Sequence, residues 1–219
     1  MTRVDSPPPA SMALFPLGTV LLPSAELSLR IFEPRYLDLV RACCRDDSGF
    51  GVCAILDGRE VGAPATSMDG QVSREAGRRQ RPTPAALGTE ARIVDFTSLP
   101  DGLLGISVRG ERRFRVRRTR VRDNGLIVAD IDWLPPTESS PLAIEHELLA
   151  TLLQRLIERI GGTHAKAAPE NYRDADWVSW RLAELLPLTL SQRQSLLQED
   201  DARRRMQRLL ELVATLLPE

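Results

Sequence analysis

Few side chains in this sequence could do chemistry near neutral pH. They are two histidines, His146 and His164, three cysteines, Cys43, Cys44 and Cys53, and a single lysine, Lys166, in 219 residues. Nucleophilic catalysis needs a Ser, Cys or Thr beside a base, or a lysine of lowered pKa. No G-x-S-x-G nucleophile elbow occurs. Lys166 precedes Ala167 rather than Ser or Thr, so it does not close a Walker-type phosphate loop. It is the sole candidate for imine chemistry and lies in a loop-like run, Gly161-Gly162-Thr163-His164-Ala165-Lys166. His146 falls among Leu142, Leu149 and Leu153 and reads as a packed or partly exposed ring. The cysteines are odd in number, two are adjacent and none forms C-x-x-C, which excludes a disulfide framework and a zinc site. They suit a reducing cytoplasm. Cys43 and Cys44 would be redox-active only as exposed, activated thiolates, and burial of at least one is expected. No catalytic residue, metal or cofactor is expected.

All other basic residues are arginine. Lys plus Arg is 29 against 30 Asp plus Glu, a net charge of −1. Dedicated polyanion binders usually carry a clear basic excess. Two arginine constellations remain as candidate binding sites. The first is Arg30, Glu33, Arg35 and Tyr36, at a strand-to-helix junction. It reads either as a polar rim gripping a peptide or as a structural pair. In the second case Glu33 accepts from the free N–H groups of the helix start and an arginine pairs it in bidentate fashion. The second constellation is the run of eight arginines between Arg109 and Arg122, with Phe114 among them. A strand alternates its faces, so Arg113, Arg115 and Arg117 share one side while Arg112 and Arg118 share the other. Phe114 is the only aromatic in the run, and stacking platforms for bases are correspondingly thin. Asp130 and Asp132 on the returning strand offset part of the charge. Arg113 and Phe114 are the contact residues expected there, and a nucleic-acid module using Arg109–Arg122 is the alternative reading. Trp177 and Trp180, three apart on a helix, share a face and read as core or as an aromatic anchor.

The elements that must position these groups follow from periodicity. Residues 1–12 are polar and Pro-rich and read as a flexible arm with no signal-peptide core. Leu27, Leu29 and Ile31 alternate with polar residues, giving a half-buried strand. Pro34 then opens a helix over 34–45, stopped by Asp46-Asp47-Ser48-Gly49. Phe50–Leu56 is a second strand. Residues 62–86 lack periodicity and read as a long flap or insert. Antiparallel strands follow from Gly88. Gly110 is expected to break one run, and Asp123-Asn124-Gly125 turns a hairpin between Arg112–Arg122 and Leu126–Trp133. Pro135-Pro136 is a stiff joint. Ser140 and Pro141 suggest a helix start, and Gly161-Gly162 its end. Further helices are expected behind Asp174 or Asp176, behind a Ser191/Gln194 capping box, and behind Asp200 or Asp201. Strands first and helices later give an α+β architecture, with a β part over 13–135 and a helical part over 140–219. No stretch approaches the ~18 apolar residues of a membrane span.

Four stretches carry a resemblance. They are Phe15-Pro16-Leu17 with Val20-Leu21-Leu22-Pro23; Leu29-Arg30-Ile31-Phe32-Glu33-Pro34-Arg35-Tyr36; Gly88-Thr89, Ala91-Arg92-Ile93 and Val108-Arg109-Gly110-Glu111-Arg112-Arg113-Phe114; and Trp180 to Leu188 with Gln192-Arg193-Gln194-Ser195-Leu196-Leu197. Together they resemble the N-terminal, substrate-binding domain of ATP-dependent Lon proteases, over about 13–217. The resemblance implies a PUA-like mixed β barrel followed by an α-helical bundle. It also implies a holding role: unfolded or tagged polypeptides bound in an apolar groove between barrel and helices, in the service of a protease or chaperone. Neither the ATPase nor the Ser-Lys peptidase motif of that family occurs in these 219 residues, so its catalytic residues have no positions to map onto.

Overall fold

A computed structural model describes residues 10–57, 83–161 and 163–216. The strands are β1 (Ala10–Leu17), β2 (Glu26–Ile31), β3 (Phe50–Asp57), β4 (Thr83–Ser98), β5 (Leu104–Val121) and β6 (Ile127–Trp133), with helix α1 (Pro34–Asp46) between β2 and β3. The helices α2 (Glu147–Ile160), α3 (Ala175–Leu185), α4 (Leu190–Leu197) and α5 (Ala202–Leu216) follow, with short 3-10 turns around α2 and before α3. This is the α+β order that the sequence implies. Among the described residues no helix is long and apolar enough to cross a membrane.

The strand pairing closes on itself. β5 pairs with β4, β4 with β3, β3 with β1, β1 with β6, and β6 returns to β5. The β1–β3 pair is parallel and the others are antiparallel, so the barrel is mixed. β5 serves two further neighbours in turn. Its residues 104–109 pair with β2 and 114–121 with β6.

Gly110 does not break β5, contrary to the sequence expectation. It lets the strand continue where the β1–β2 loop crosses it. A Cβ on Gly110 would lie 2.2 Å from the Leu22 carbonyl oxygen. In its absence the Gly110 carbonyl accepts from Ser24 N at 2.7 Å and its N–H donates to Ala25 O at 2.9 Å.

Boundaries shift elsewhere for physical reasons. Residues 10–12, expected in the arm, pair with β6 as strand, and residues 1–9 lie outside the described residues. Of the expected 62–86 loop, 83–86 open β4 and the rest lies outside the described residues. Ser140 and Pro141 do not start a helix. Ser140 N donates to Asp174 Oδ1, Pro141 forms an isolated bridge with Asp174, and α2 begins only at Glu147. The capping box is Thr189/Gln192 rather than Ser191/Gln194. Gln194 is used differently, donating from Nε2 to Leu87 O of the barrel at 3.2 Å.

Two apolar clusters hold these elements. A small one, from β1, β3, β5 and β6, contains Met12, Leu14, Cys53, Phe114, Ile127, Ala129 and Ile131. Gly51 makes room for it, since a Cβ there would lie 2.6 Å from the Phe114 ring. The large cluster runs from Phe15, Ile31 and Phe50 through to Leu153, Trp180 and Leu209, so barrel and helices share one core. At roughly 25 cal/mol per Å² of apolar surface removed from water, that shared core supplies most of the drive for docking the two parts.

Candidate functional site

The strand-to-helix junction is a structural corner. Glu33 caps α1 through its carbonyl, which accepts from Tyr36 N and Leu37 N, and its carboxylate makes no cap. The expectation of a side-chain cap is corrected: the carboxylate pairs with Arg35 at 2.8 Å instead. Arg35 also donates to Gly125 O at 2.9 Å and lies 4.8 Å over the Tyr36 ring, which stacks on Phe15. The corner thereby ties α1 to the β5–β6 turn. Arg30 is apart from it, exposed and paired with Asp101 of the β4–β5 turn.

The arginine run of β5 does not form a free cationic ribbon. Arg109, Arg112, Arg113, Arg117 and Arg120 pair with Glu26, Glu90, Asp200, Asp132 and Asp130. Arg113 and Phe114 are consecutive and both buried, because the strand is covered on both faces there. Phe114 packs inside the small cluster, edge-on to Trp133, and offers no face to a ligand, contrary to its role as an expected contact. Arg113 does not share an open face with Arg115 and Arg117; it turns under the helices.

Arg113 leads to the joint between barrel and helices, where the structure gathers charged and aromatic groups around a cleft. From the barrel, Arg113 donates to Leu197 O at 2.9 Å and pairs with Asp200 at 2.8 Å. From the helices, Arg181 reaches the opposite way, donating to the Pro23 and Ser24 carbonyls and pairing with Glu184 at 2.7 Å. A third arginine, Arg205 of α5, pairs with Asp176 and donates to Ser179 Oγ and Glu199 O, each at 2.8 Å. Its guanidinium lies 3.6 Å from the Trp180 ring centre, with Arg113 at 5.7 Å. Asp174 caps α3 by accepting from Asp176 N. Trp177, Trp180 and Arg181 stand at i, i+3 and i+4, so α3 turns one face to the barrel.

The hollow they border has a volume of about 360 Å³ and is lined by Trp177, Trp180, Arg113 and Arg181 together with the Pro135-Pro136 linker. A neighbouring hollow of about 580 Å³ shares Arg113, Pro135, Pro136 and Thr137 and runs on to Ser140 and Asp201. The resemblance implied an apolar groove, but the lining here is mixed, with Arg112, Arg113, Arg181, Glu111, Asp174 and Asp176 in it. Backbone carbonyls at Pro23, Ser24, Leu197 and Glu199 need donors once the joint is closed, and arginines supply them. Burial pulls the Arg205 pKa down to about 10 against the pull of Asp176, which leaves the group charged at neutral pH. Burial lowers that of Arg181 as well, with Glu184 opposing.

Sequence reasoning missed Arg181 and Arg205 as site residues and took Asp176 only as a possible helix cap, a role that Asp174 fills. The available signal was the stripe Ala202, Arg205, Met206, Leu209 and Val213, which places an arginine on the buried face of α5. Of the remaining candidates, His146 is buried with neither ring nitrogen partnered, and His164 contacts Glu184 at 3.2 Å. Cys43 is buried and Cys44 exposed, and burial pushes the Cys53 thiol up to about 12, far from a reactive thiolate. Among the described residues no group of three His, Cys, Asp or Glu side chains could hold a metal.

Known proteins share this fold. A crystal structure of a Lon N-terminal domain protein from Xanthomonas campestris is 48% identical, covers 92% of this chain and 98% of its own, and superposes with a TM-score of 0.72. The N-terminal domain of Lon protease from the Mycobacterium avium complex, at 15% identity and a TM-score of 0.64 over 95% of this chain and all of its own, shares the fold. Among curated sequences, Lon protease 3 of Sorangium cellulosum is 30% identical over 145 residues, 60% of this chain. Lon protease of Buchnera aphidicola is 28% identical over 133 residues, 58% of this chain. The chain spans only 17% of the length of either curated relative. The model of the ATP-dependent protease La (LON) substrate-binding domain matches residues 11–215, and the chain belongs to that family.

Proposed function

We propose that this protein binds polypeptide segments of other proteins, unfolded or tagged, and that it recognises or delivers them in cytoplasmic protein quality control without catalysing a reaction itself. A protease or chaperone would act on what it holds. The observation that carries this reading is the family: residues 11–215 match a domain described by substrate binding. The joint cleft supports it. Its volume of about 360 Å³ lies within the ~300–1,000 Å³ of ordinary ligand clefts, with aromatic and charged groups converging on it. Phe32 after β2 and Val94 and Phe96 on β4 add exposed apolar surface, each about half exposed. Capture by such surfaces removes apolar client side chains from water, and exposed arginines steer acidic flanks.

The test is fluorescence anisotropy with reduced, carboxymethylated α-lactalbumin, a chain that stays unfolded. Saturable binding is expected, with no binding by an unrelated β-barrel protein. Equal signals from the two proteins sink the reading. Hydrolysis of ATP or of peptide bonds by the purified chain overturns its non-catalytic part.

A further inference from the structure

Two hydrogen-bond donors at the joint are buried and have nothing to donate to. Trp180 is 3% exposed and its indole Nε1 has no partner; Arg181 is 1% exposed and its Nε has none either, although both of its terminal nitrogens are engaged. Buried N–H groups are nearly always satisfied, because an unmade hydrogen bond costs as much as desolvating the donor. Both residues line the same cleft. No side-chain acceptor of its lining is buried without a partner, so the deficit there is of acceptors alone.

We infer that acceptor oxygens of a bound peptide complete this cleft: backbone carbonyls of an extended segment, taken by the Trp180 indole N–H and the Arg181 Nε–H. Charge decides between a carbonyl and a carboxylate. The lining carries Arg112, Arg113 and Arg181 against Glu111, Asp174 and Asp176, a formally neutral set that gives an anion no advantage. A neutral amide carbonyl suits it. Shape favours an extended segment. The cleft shares Arg113, Pro135, Pro136 and Thr137 with the neighbouring hollow, so the two lie side by side along the linker, and that hollow reaches Ser140, whose buried hydroxyl also lacks a partner. The half-buried Trp177 ring gives one side chain of the segment an apolar wall.

This inference rests on the polypeptide-binding reading above, and the two can fail separately. The full chain is labelled with ¹⁵N and titrated with carboxymethylated α-lactalbumin. Its three tryptophans give three indole signals, assigned through Trp→Phe variants. The Trp180 indole proton is expected to move downfield at saturation. Thr137→Trp, which fills the cleft from the half-buried linker without touching the core, is expected to weaken binding about tenfold, the equivalent of one hydrogen bond. Trp180→Phe is expected to weaken it several-fold, and raising the salt concentration to change it little. If the wild type does not bind the probe, the polypeptide reading itself falls. If it binds while the Trp180 signal stays still, as a trapped water would leave it, and Thr137→Trp binds equally well, the segment sits elsewhere and this inference alone is overturned. Steep salt dependence overturns the choice of a neutral carbonyl.

Discussion

The α1 corner and the α3 joint are built from the same parts, arginine, carboxylate and aromatic ring, yet they differ in reach. At the corner, Glu33, Arg35 and Tyr36 lie within three positions of each other, and long contacts from Arg35 to Gly125 O and from Tyr36 to the Phe15 ring anchor the set. At the joint most contacts are long, although Arg181 also pairs locally with Glu184. Arg181 meets Ser24 across 157 residues, Arg113 meets Leu197 across 84, and Arg205 meets Asp176 across 29. Ordering a long loop for one contact is unfavourable, so such contacts form only after the rest of the fold has closed the distance. The corner therefore stabilises one helix end, whereas the joint couples two parts of the molecule. Burial sharpens the contrast: Arg205 and Arg181 are sealed from water, while Glu33 and Arg35 each keep about a fifth of their side chain exposed.

The largest expected effect is at the joint. Arg205→Ala strands Asp176 and removes the cation from the Trp180 face, and loss of one partner of a buried pair costs about 3–5 kcal/mol. Urea denaturation followed by tryptophan fluorescence measures it. The double variant Arg205→Ala/Asp176→Ala should recover part of the loss, because no charge is then left uncompensated. A single-variant loss below about 1 kcal/mol would mean that the apolar core alone couples barrel to helices.

The corner comes next. Arg35→Ala removes an ion pair and a charged hydrogen bond to a backbone carbonyl, with an expected cost of about 2 kcal/mol. Hydrogen exchange should speed up in the first turn of α1 and in the β5–β6 turn but not in α3. Acceleration spreading into α3 would erase the distinction between a local and a coupling site.

That distinction explains what was legible in the sequence. Pro34 at a helix start, Gly161 at a helix end and Asp174 at a cap depend on neighbours a few residues away, and each stands where the pattern puts it. Gly110 was misread because its reason is the Leu22 carbonyl, 88 positions off, which no local pattern contains. Ser140 was misread because Asp174 takes its N–H. The Ser191/Gln194 capping box was misread because Gln194 is held by the distant Leu87 carbonyl. The candidate residues divide in the same way. Of Arg30, Glu33, Arg35 and Tyr36, which were identified together, the last three are together and Arg30 stands apart on Asp101, while Arg181, Arg205 and Asp176 come from helices whose packing the sequence does not print.

The barrel interior supplies a third region, sealed like the joint but without ions. Cys53 has its pKa raised from 9.0 to about 12 by burial. The folded state therefore holds the thiol proton between those values while the unfolded state releases it, so stability falls as pH rises through the window. At pH 10, one unit above 9.0, the expected loss relative to pH 8 is about 1.4 kcal/mol. Cys53→Ala should flatten the urea midpoint against pH over this range, although its own stability at pH 8 is lower. An unchanged slope would assign the alkaline loss to other groups.

The smallest effect is expected at Arg30, and it is the one that best limits the comparison. Arg30 and Asp101 form an ion pair with side chains 59% and 39% exposed. They join the end of β2 to the β4–β5 turn, where Asp101 also accepts from Leu103 N. Exposed pairs of this kind are screened by water and salt, and double-mutant cycles place them at about 0.2–1 kcal/mol. The cycle Arg30→Ala, Asp101→Ala and both together should give a coupling in that range that shrinks further in high salt. Arg205 and Arg30 then span the scale on which burial, rather than the number of charges, decides what an arginine contributes. A coupling above about 2 kcal/mol at Arg30 would break the scale, because an arginine open to water would then be holding the barrel as firmly as a sealed one holds the joint.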